Sequence, residues 1–135
     1  MSGNEPKKGL LDSNVIIYAS KGELDMDDLT LSYASLYISI INYVEVAGYQ
    51  FDNEEEEAAV LAILSQIPTI DLDMEMAQRA VAYRKKKKIK LPDALILATA
   101  RQIGADLLTF NTKDFQGLDD QVELVVPKRR EIGED

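Results

Sequence analysis

Cysteine and histidine are both absent from the 135-residue sequence. Without cysteine the chain can form no disulfide, no thiolate zinc site and no cysteine nucleophile. Without histidine it lacks the base of a Ser-His-Asp triad, the histidine pair of metal-free ribonucleases and every imidazole ligand for a metal. Any hydrolytic chemistry must therefore rest on carboxylates, together with a hard cation that prefers oxygen ligands.

Long apolar runs are absent as well. No stretch approaches the roughly 20 apolar residues that span a bilayer, and the opening MSGNEPKK lacks the apolar core of a secretory signal. We therefore expect no membrane association and a cytoplasmic location. The length of 135 residues and the hydrophobic content of 46% are typical of one globular domain. We predict a single domain over residues 1–135, with a core at about 9–127 and polar tails at 1–8 and 128–135.

Basic residues are outnumbered, with 15 Lys and Arg against 24 Asp and Glu and a net charge of -9. This balance argues against a sequence-blind nucleic-acid coat, because phosphate affinity comes largely from Lys and Arg. It is compatible with a nuclease that has a metal-filled acidic pocket and a local basic patch. The run RKKKKIK, residues 84–90, is such a candidate patch, with Lys87, Lys88 and Lys90 as its phosphate-binding residues. The simpler explanation of this run is a solvated, cationic helix end.

Short runs rich in β-branched and apolar residues alternate with helical segments. The predicted strands are residues 9–12, 37–41, 69–72, 106–110 and 122–126, and a mostly helical stretch is expected at 24–37. Asn42, Asn53 and Asp73 are predicted helix N-caps, and Pro92 lies in the first turn of a further helix. This alternation indicates an α/β fold, a three-layer α/β/α sandwich around a parallel sheet of about five strands, with the third strand at an edge.

Three carboxylates are expected at the carboxyl edge of this sheet, where α/β folds bind ligands. Asp12 ends the first strand in LLDSNVIIYA, Glu45 begins the helix after the second strand, and Asp93 begins the helix that runs back to the fourth. Each has a simpler explanation alone: a helix cap, a solvent-facing position and a first-turn acid that favours the helix dipole. Together they predict an acidic pocket whose repulsion Mg²⁺ or Mn²⁺ would neutralise.

Further polar residues follow the fourth strand in LLTFNTKDF, where Thr109, Asn111 and Asp114 are expected at the same edge. Ordinary turn chemistry is the alternative explanation for this segment. A cation bound beside such residues would lower the pKa of a water ligand and stabilise charge on a phosphoryl group. That chemistry needs neither histidine nor cysteine.

Three segments of the chain resemble PIN-domain proteins, specifically the VapC-like toxins of type II toxin–antitoxin pairs. LLDSNVII resembles the opening strand of that family, with its aspartate and the Ser/Thr-Asn that follows. ISIINYVEVAGY resembles the second motif, and LPDALILATARQIGADLLTFNTKDF resembles the third and fourth together. The order and spacing of the segments fit over about residues 9–127.

The resemblance implies a Mg²⁺-dependent endoribonuclease, with Mn²⁺ as the other ion that suits oxygen ligands. Asp12 and Asp93 would hold the metal, and Glu45 would assist as ligand or base. The family's fourth acid normally follows the Thr-x of the fourth strand, and here that position is Asn111. Either Asp114, three residues later, takes part of the role, or the site works with three acids.

The resemblance also implies partners: RNA as substrate, a second copy of the chain in a homodimer, and an antitoxin protein whose basic segment enters the acid pocket. Asn14 and Thr109 join the three lysines as predicted substrate-binding residues. The departure at Asn111 motivates a second function, a catalytically weak PIN-like module that binds RNA or protein. A receiver-like signalling domain needs an acidic pair after its first strand, which ends here in Asp12 alone. A haloacid-dehalogenase-like phosphatase needs a second aspartate where Asn14 stands.

Overall fold

The computed structural model describes residues 6–130, so the outer parts of both predicted tails, 1–5 and 131–135, lie outside the described residues. Its strands are β1 (Lys8–Leu11), β2 (Ser35–Ser39), β3 (Thr69–Ile70), β4 (Asp106–Leu108) and β5 (Leu124–Val125). They form one sheet in the order β3-β2-β1-β4-β5, and every neighbouring pair is parallel. The predicted parallel sheet is confirmed, with β1 at its centre and β3 at an edge.

Helices cover both faces of the sheet. In chain order they are α1 (Ser13–Ser20), α2 (Met26–Ser32), α3 (Ile40–Ala47), α4 (Glu54–Gln66), α5 (Met74–Lys86), α6 (Leu91–Ile103) and α7 (Thr112–Phe115). Leu10 packs in one buried cluster with residues of α5 and α6, and its neighbour Leu11 packs in a second cluster with residues of α1 and α4. Successive strand residues point to opposite faces, so the two clusters confirm the three-layer α/β/α sandwich.

The junction of β2 and α3 differs from the prediction. Ser39 ends the strand and is the N-cap of the helix, whereas Asn42 was predicted as the cap. The Ser39 hydroxyl accepts a hydrogen bond from Asn42 N at 3.0 Å, and Asn42 Oδ1 accepts one from Ser39 N at 3.0 Å. This reciprocal capping box satisfies two backbone donors at the helix start, so the β-branched Ile40 and Ile41 lie in the helix and not in the strand.

Other predicted elements differ mainly in length. The caps Asn53 and Asp73 are confirmed, since each side chain accepts a hydrogen bond from the backbone N–H three residues later. The predicted helical stretch at 24–37 contains only the seven-residue α2. Strands β3, β4 and β5 are shorter than predicted, and the expected turn after β4 is the short helix α7. At the end of the described residues, Arg130 N donates to Glu23 O at 2.8 Å.

Helix α6 reverses the chain into β4 through one glycine. Gly104 has φ 69°, the left-handed conformation that ends many helices and that glycine adopts without steric cost. Strand β4 begins two residues later, at Asp106, so the start of α6 lies at the carboxyl edge of the sheet. Within residues 6–130, no helix combines the length and apolarity needed to cross a membrane.

Candidate active site

Asp12 lies at the carboxyl end of the central strand and is the N-cap of α1. It is only 6% exposed. Its Oδ1 accepts a hydrogen bond from Ser13 N at 2.9 Å, and its Oδ2 accepts one from the Thr109 hydroxyl at 2.8 Å. Burial raises the pKa of Asp12, the two hydrogen bonds oppose that rise, and the charges of Glu45 and Asp114 add to it. The capping role is therefore real, but it accounts for only one of the two carboxylate oxygens.

Glu45 is held by a hydrogen-bond relay from the start of its own helix. The buried Asn42 side chain donates from Nδ2 to Ser13 Oγ at 3.1 Å, and Ser13 Oγ donates to Glu45 Oε1 at 2.6 Å. Glu45 itself lies on the exposed side of α3. Ser13 and Asn42 had no predicted role in orienting Glu45. The Ser-x-x-Asn spacing from Ser39 to Asn42 was the available signal that the helix begins one turn earlier.

Asp93 lies in the first turn of α6 and is partly buried. Burial, together with the charges of Asp12, Asp114 and Glu45, raises its pKa from 3.8 to about 6, and Lys90 opposes this rise. Three segments distant in the sequence thus bring carboxylates close enough to influence one another's ionisation. Mutual repulsion of this kind favours either protonation or a bound cation.

The acid cavity is the space in which these side chains meet, and its volume is about 310 Å³. Its lining consists of Asp12, Ser13, Asn14, Ile17, Glu45, Val46, Tyr49, Asp93 and Asn111. The structure therefore places three predicted carboxylates and two predicted amides around one space. Asp114 borders an adjoining cavity that is also lined by Asp93.

Two residues, Asn111 and Asp114, lie near the place where the fourth acid was expected. Asn111 is the N-cap of α7, but its side chain makes no capping hydrogen bond, and it lines the acid cavity. Asp114 lies within α7, and its charge raises the pKa of both Asp12 and Asp93. The uncharged Asn111 therefore lines the acid cavity itself, while the Asp114 carboxylate acts on it from the adjoining cavity.

No group of three carboxylates within residues 6–130 is already close enough to hold a metal ion. The three carboxylates of the acid cavity surround a shared space instead, and Asp12 and Asp93 both have raised pKa values. Oxygen is the only donor type that the lining offers, which is the ligand that Mg²⁺ and Mn²⁺ prefer. The donor set therefore fits a hard divalent cation.

Thr109 and Asn14, both predicted to bind substrate, lie in different environments. Asn14 is exposed and lines the acid cavity. Thr109 is fully buried, donates to Asp12, and accepts a hydrogen bond from Asn111 N at 3.0 Å. Its hydroxyl orients a carboxylate and the chain after β4, and does not face the open cavity.

The three predicted phosphate-binding lysines also lie in different environments. Lys88 and Lys90 are exposed, and all three lysines line the cavity next to the acid cavity. Lys87 is partly buried, and its Nζ donates to Lys113 O at 3.2 Å and to Gln116 O at 2.8 Å. Lys87 thus ties the end of α5 to the segment that contains Asp114.

Comparison with known proteins identifies the family. The family model described as PIN domain matches residues 9–120. The structure of a toxin-antitoxin complex from Klebsiella pneumoniae contains a chain that is 33% identical, with a TM-score of 0.73, over 90% of this chain and 99% of that one. VapBC2 from Rickettsia felis, bound to a DNA fragment from their promoter, has 23% identity and a TM-score of 0.73 over 87% of this chain and 96% of that one.

A further similar structure is VapBC-5 from Mycobacterium tuberculosis, with 22% identity and a TM-score of 0.65 over 89% of this chain and 98% of that one. At such identities the likeness shows the fold alone. No curated protein matches the sequence. The family match covers most of the chain and includes every residue of the acid cavity, and the five-stranded parallel sheet agrees with it. The chain therefore belongs to the PIN domain family.

Proposed function

We propose that this chain is a metal-dependent endoribonuclease and the toxin of a toxin–antitoxin pair. The observation that carries the proposal is the acid cavity, where Asp12, Glu45 and Asp93 meet in a chain that has neither histidine nor cysteine. Membership of the PIN domain family supports nuclease activity. The similarity to a chain in a toxin-antitoxin complex at 33% identity supports the toxin assignment.

Asp12 and Asp93 are the proposed ligands of Mg²⁺ or Mn²⁺. When bound, the cation supplies a more acidic water and neutralises charge on the phosphate. The chain itself fixes Asp12 through Thr109 and the backbone of Ser13, so the direction of this carboxylate depends little on solvent. Preorganised ligands of this kind spend less free energy on ordering when the cation and the substrate bind.

Glu45 is the proposed proton acceptor for the attacking water. Ser13 holds Oε1 with a hydrogen bond of 2.6 Å, so we assign proton transfer to Oε2. The exposed position of Glu45 gives water access to this oxygen. Asn111, and Asp114 from the side, complete the proposed catalytic set, while Asn14, Lys88 and Lys90 are proposed to contact the RNA.

The test replaces Asp12 and Asp93 separately by asparagine, which has nearly the same shape and no charge. Each change should lower metal-dependent cleavage of an RNA oligonucleotide by more than about 100-fold, because changes to groups that only support metal ligands already cost about 10–100-fold. Circular dichroism should show an unchanged fold. Mg²⁺ should raise the melting temperature of the unsubstituted chain more than that of either variant.

The matched control for these variants is Asp71→Asn, which removes an exposed carboxylate that lines neither the acid cavity nor its neighbour. It should leave cleavage and the response to Mg²⁺ unchanged. Full cleavage by Asp12→Asn or Asp93→Asn would refute the assignment of the metal ligands.

The proposed protein partners are an antitoxin with a basic segment and a second copy of the chain. The carboxylates of the acid cavity suit an Arg or Lys side chain from such a segment. A small adjacent reading frame with a basic tail is the expected genetic context. Sedimentation of the purified chain tests the homodimer, and a monomer at all concentrations would exclude it.

A second candidate function is a catalytically weak PIN-like module that binds RNA or protein. The presence of the uncharged Asn111 in the lining of the acid cavity favours it. RNA that is bound but remains intact with both Mg²⁺ and Mn²⁺ would establish this function in place of cleavage.

A further inference from the structure

A second cavity, of about 470 Å³, adjoins the acid cavity and shares Asp93 with it. We call it the basic cavity, because its lining contains five cations, Arg84, Lys87, Lys88, Lys90 and Lys113, against the two carboxylates Asp93 and Asp114. Its remaining lining residue is the largely buried Ile89. This excess of positive charge stands out in a chain whose net charge is -9.

None of the five cations of the basic cavity forms a salt bridge in the described part of the chain. The ion pairs within residues 6–130 involve Lys7, Arg79, Arg101, Lys128 and Arg129, and none involves a lining residue of this cavity. Of the five cations, Lys87 donates to backbone carbonyls. Like charges concentrated around one space repel each other and raise the local positive potential, so an anionic ligand would relieve that repulsion.

A third cavity next to the acid cavity carries the opposite charge. Its volume is about 390 Å³, and it shares Ile17 and Tyr49 with the acid cavity, whereas the basic cavity shares Asp93. The charged lining residues of this third cavity are Asp52, Glu55, Glu56 and the single cation Lys21. A polyanion that crosses the acid cavity is therefore attracted on the side of the basic cavity and repelled on the side of α4.

We propose that the basic cavity binds backbone phosphates of single-stranded RNA on one side of the phosphodiester that is cut in the acid cavity. The strand then extends towards the α5–α6 connection and not towards α4. Arg84, Lys88, Lys90 and Lys113 are the phosphate-binding residues. The assignment rests on the proposed function of the acid cavity. Phosphate contacts position a strand without reading its bases, so this part of the recognition is independent of sequence.

The run of basic residues offers a charge-matched test. Lys85 and Lys86 are exposed, as Lys88 and Lys90 are, but they do not line the basic cavity. The double variants Lys88→Ala/Lys90→Ala and Lys85→Ala/Lys86→Ala remove the same charge from the same segment. Binding of a fluorescent single-stranded RNA is measured by anisotropy with the full chain in EDTA, over a series of salt concentrations.

The Lys88→Ala/Lys90→Ala variant should raise the Kd about tenfold and reduce the slope of log K against log salt by about 1.4, the value for two lost contacts on a single strand. The Lys85→Ala/Lys86→Ala variant should change the Kd by less than about twofold. Equal weakening by both variants, or no weakening by either, would overturn the proposal.

Cleavage assays separate this proposal from the nuclease assignment. If the unsubstituted chain cleaves RNA and the two double variants have equal kcat/KM, phosphate binding in the basic cavity is refuted and the nuclease assignment stands. A chain that never cleaves but shows the expected difference in binding would support the basic cavity and refute the nuclease. Poly-glutamate serves as a second probe. If it binds as tightly as RNA of equal charge and loses the same affinity in Lys88→Ala/Lys90→Ala, the ligand of the basic cavity is an acidic protein segment and not RNA.

Discussion

The three carboxylates of the acid cavity are held in different ways at the scale of single residues. Asp12 is buried with both oxygens hydrogen-bonded, and Glu45 is exposed with one oxygen held by Ser13. Asp93 receives no side-chain hydrogen bond within residues 6–130, and its pKa rises to about 6. Ionisation of Asp93 therefore destabilises the metal-free fold.

This difference predicts how stability depends on pH without metal. Because the pKa of Asp93 is about 6 in the folded chain and 3.8 ordinarily, the folded state holds its proton more tightly than the unfolded state does. The free energy of unfolding should fall as pH rises from about 4 to about 6. Asp93→Asn removes this penalty and should stabilise the metal-free protein by about 2 kcal/mol above pH 6, after allowance for solvent screening.

Urea denaturation in EDTA, at about pH 4 and about pH 7, measures this effect. The stabilising effect of Asp93→Asn should be present at the higher pH and nearly absent at the lower one. Asp71→Asn is the control, since its exposed carboxylate is outside the acid cavity. A destabilised Asp93→Asn at the higher pH would contradict the prediction.

The proposed fourth catalytic position gives a second prediction for single residues. Asn111 lines the acid cavity, so Asn111→Asp adds a carboxylate where an amide now lies and should preserve or raise metal-dependent cleavage. Initial rates over a Mg²⁺ titration measure the effect, and Asn111→Ala is the matched control. Loss of cleavage in Asp114→Ala with full cleavage in Asn111→Ala would instead assign the fourth acid to Asp114.

At the scale of elements, short segments with few contacts of their own are positioned by specific hydrogen bonds. Helix α7 has only four residues, and it contains Asp114 and follows Asn111. Lys87, at the end of α5, donates to carbonyls in and after this helix, and the Thr109 hydroxyl accepts from Asn111 N. The far side of the acid cavity therefore depends on contacts from two other elements.

Lys87→Met tests the contact between α5 and α7. Methionine retains an apolar stem but donates no hydrogen bond, so the free energy of unfolding should fall by about 1 kcal/mol, the typical net value of such bonds. The Mg²⁺ concentration for half-maximal cleavage should also rise, because α7 is less firmly placed. Lys88→Met is the control for stability, and Lys87→Arg should restore part of the loss. Equal stability of Lys87→Met and Lys88→Met would contradict the role of Lys87.

At the scale of the whole molecule, charge is segregated although the chain is acidic overall. The basic cavity and the cavity of Asp52, Glu55 and Glu56 both adjoin the acid cavity, but they share different lining residues with it. The run RKKKKIK was visible in the sequence, but only packing shows which of its lysines share a space with Asp93. Lys87 and Lys88 line the basic cavity, whereas Lys86 lines another cavity with Arg101 and Asp119.

Local patterns in the sequence were sufficient to predict the fold class. The alternation of strands and helices and the caps Asn53 and Asp73 depend on periodicity and on bonds between near neighbours. The meeting of Asp12, Glu45 and Asp93 followed from topology, because the carboxyl ends of parallel strands share one edge. The end of β2 was predicted wrongly, since the capping box of Ser39 and Asn42 outweighed the β-branched residues.

The sequence by itself therefore determined the α/β sandwich and the grouping of the three carboxylates at one edge. Only the tertiary structure decided how each is held: Thr109 reaches Asp12 across 97 residues of sequence, and Asn42 reaches Ser13 across 29. It also decided that Lys87 supports α7 while Lys88 and Lys90 stay exposed. The physical reason is the distance along the chain over which each interaction acts. Caps and periodicity act within a few residues, whereas these contacts depend on the packing of elements that are distant along the chain.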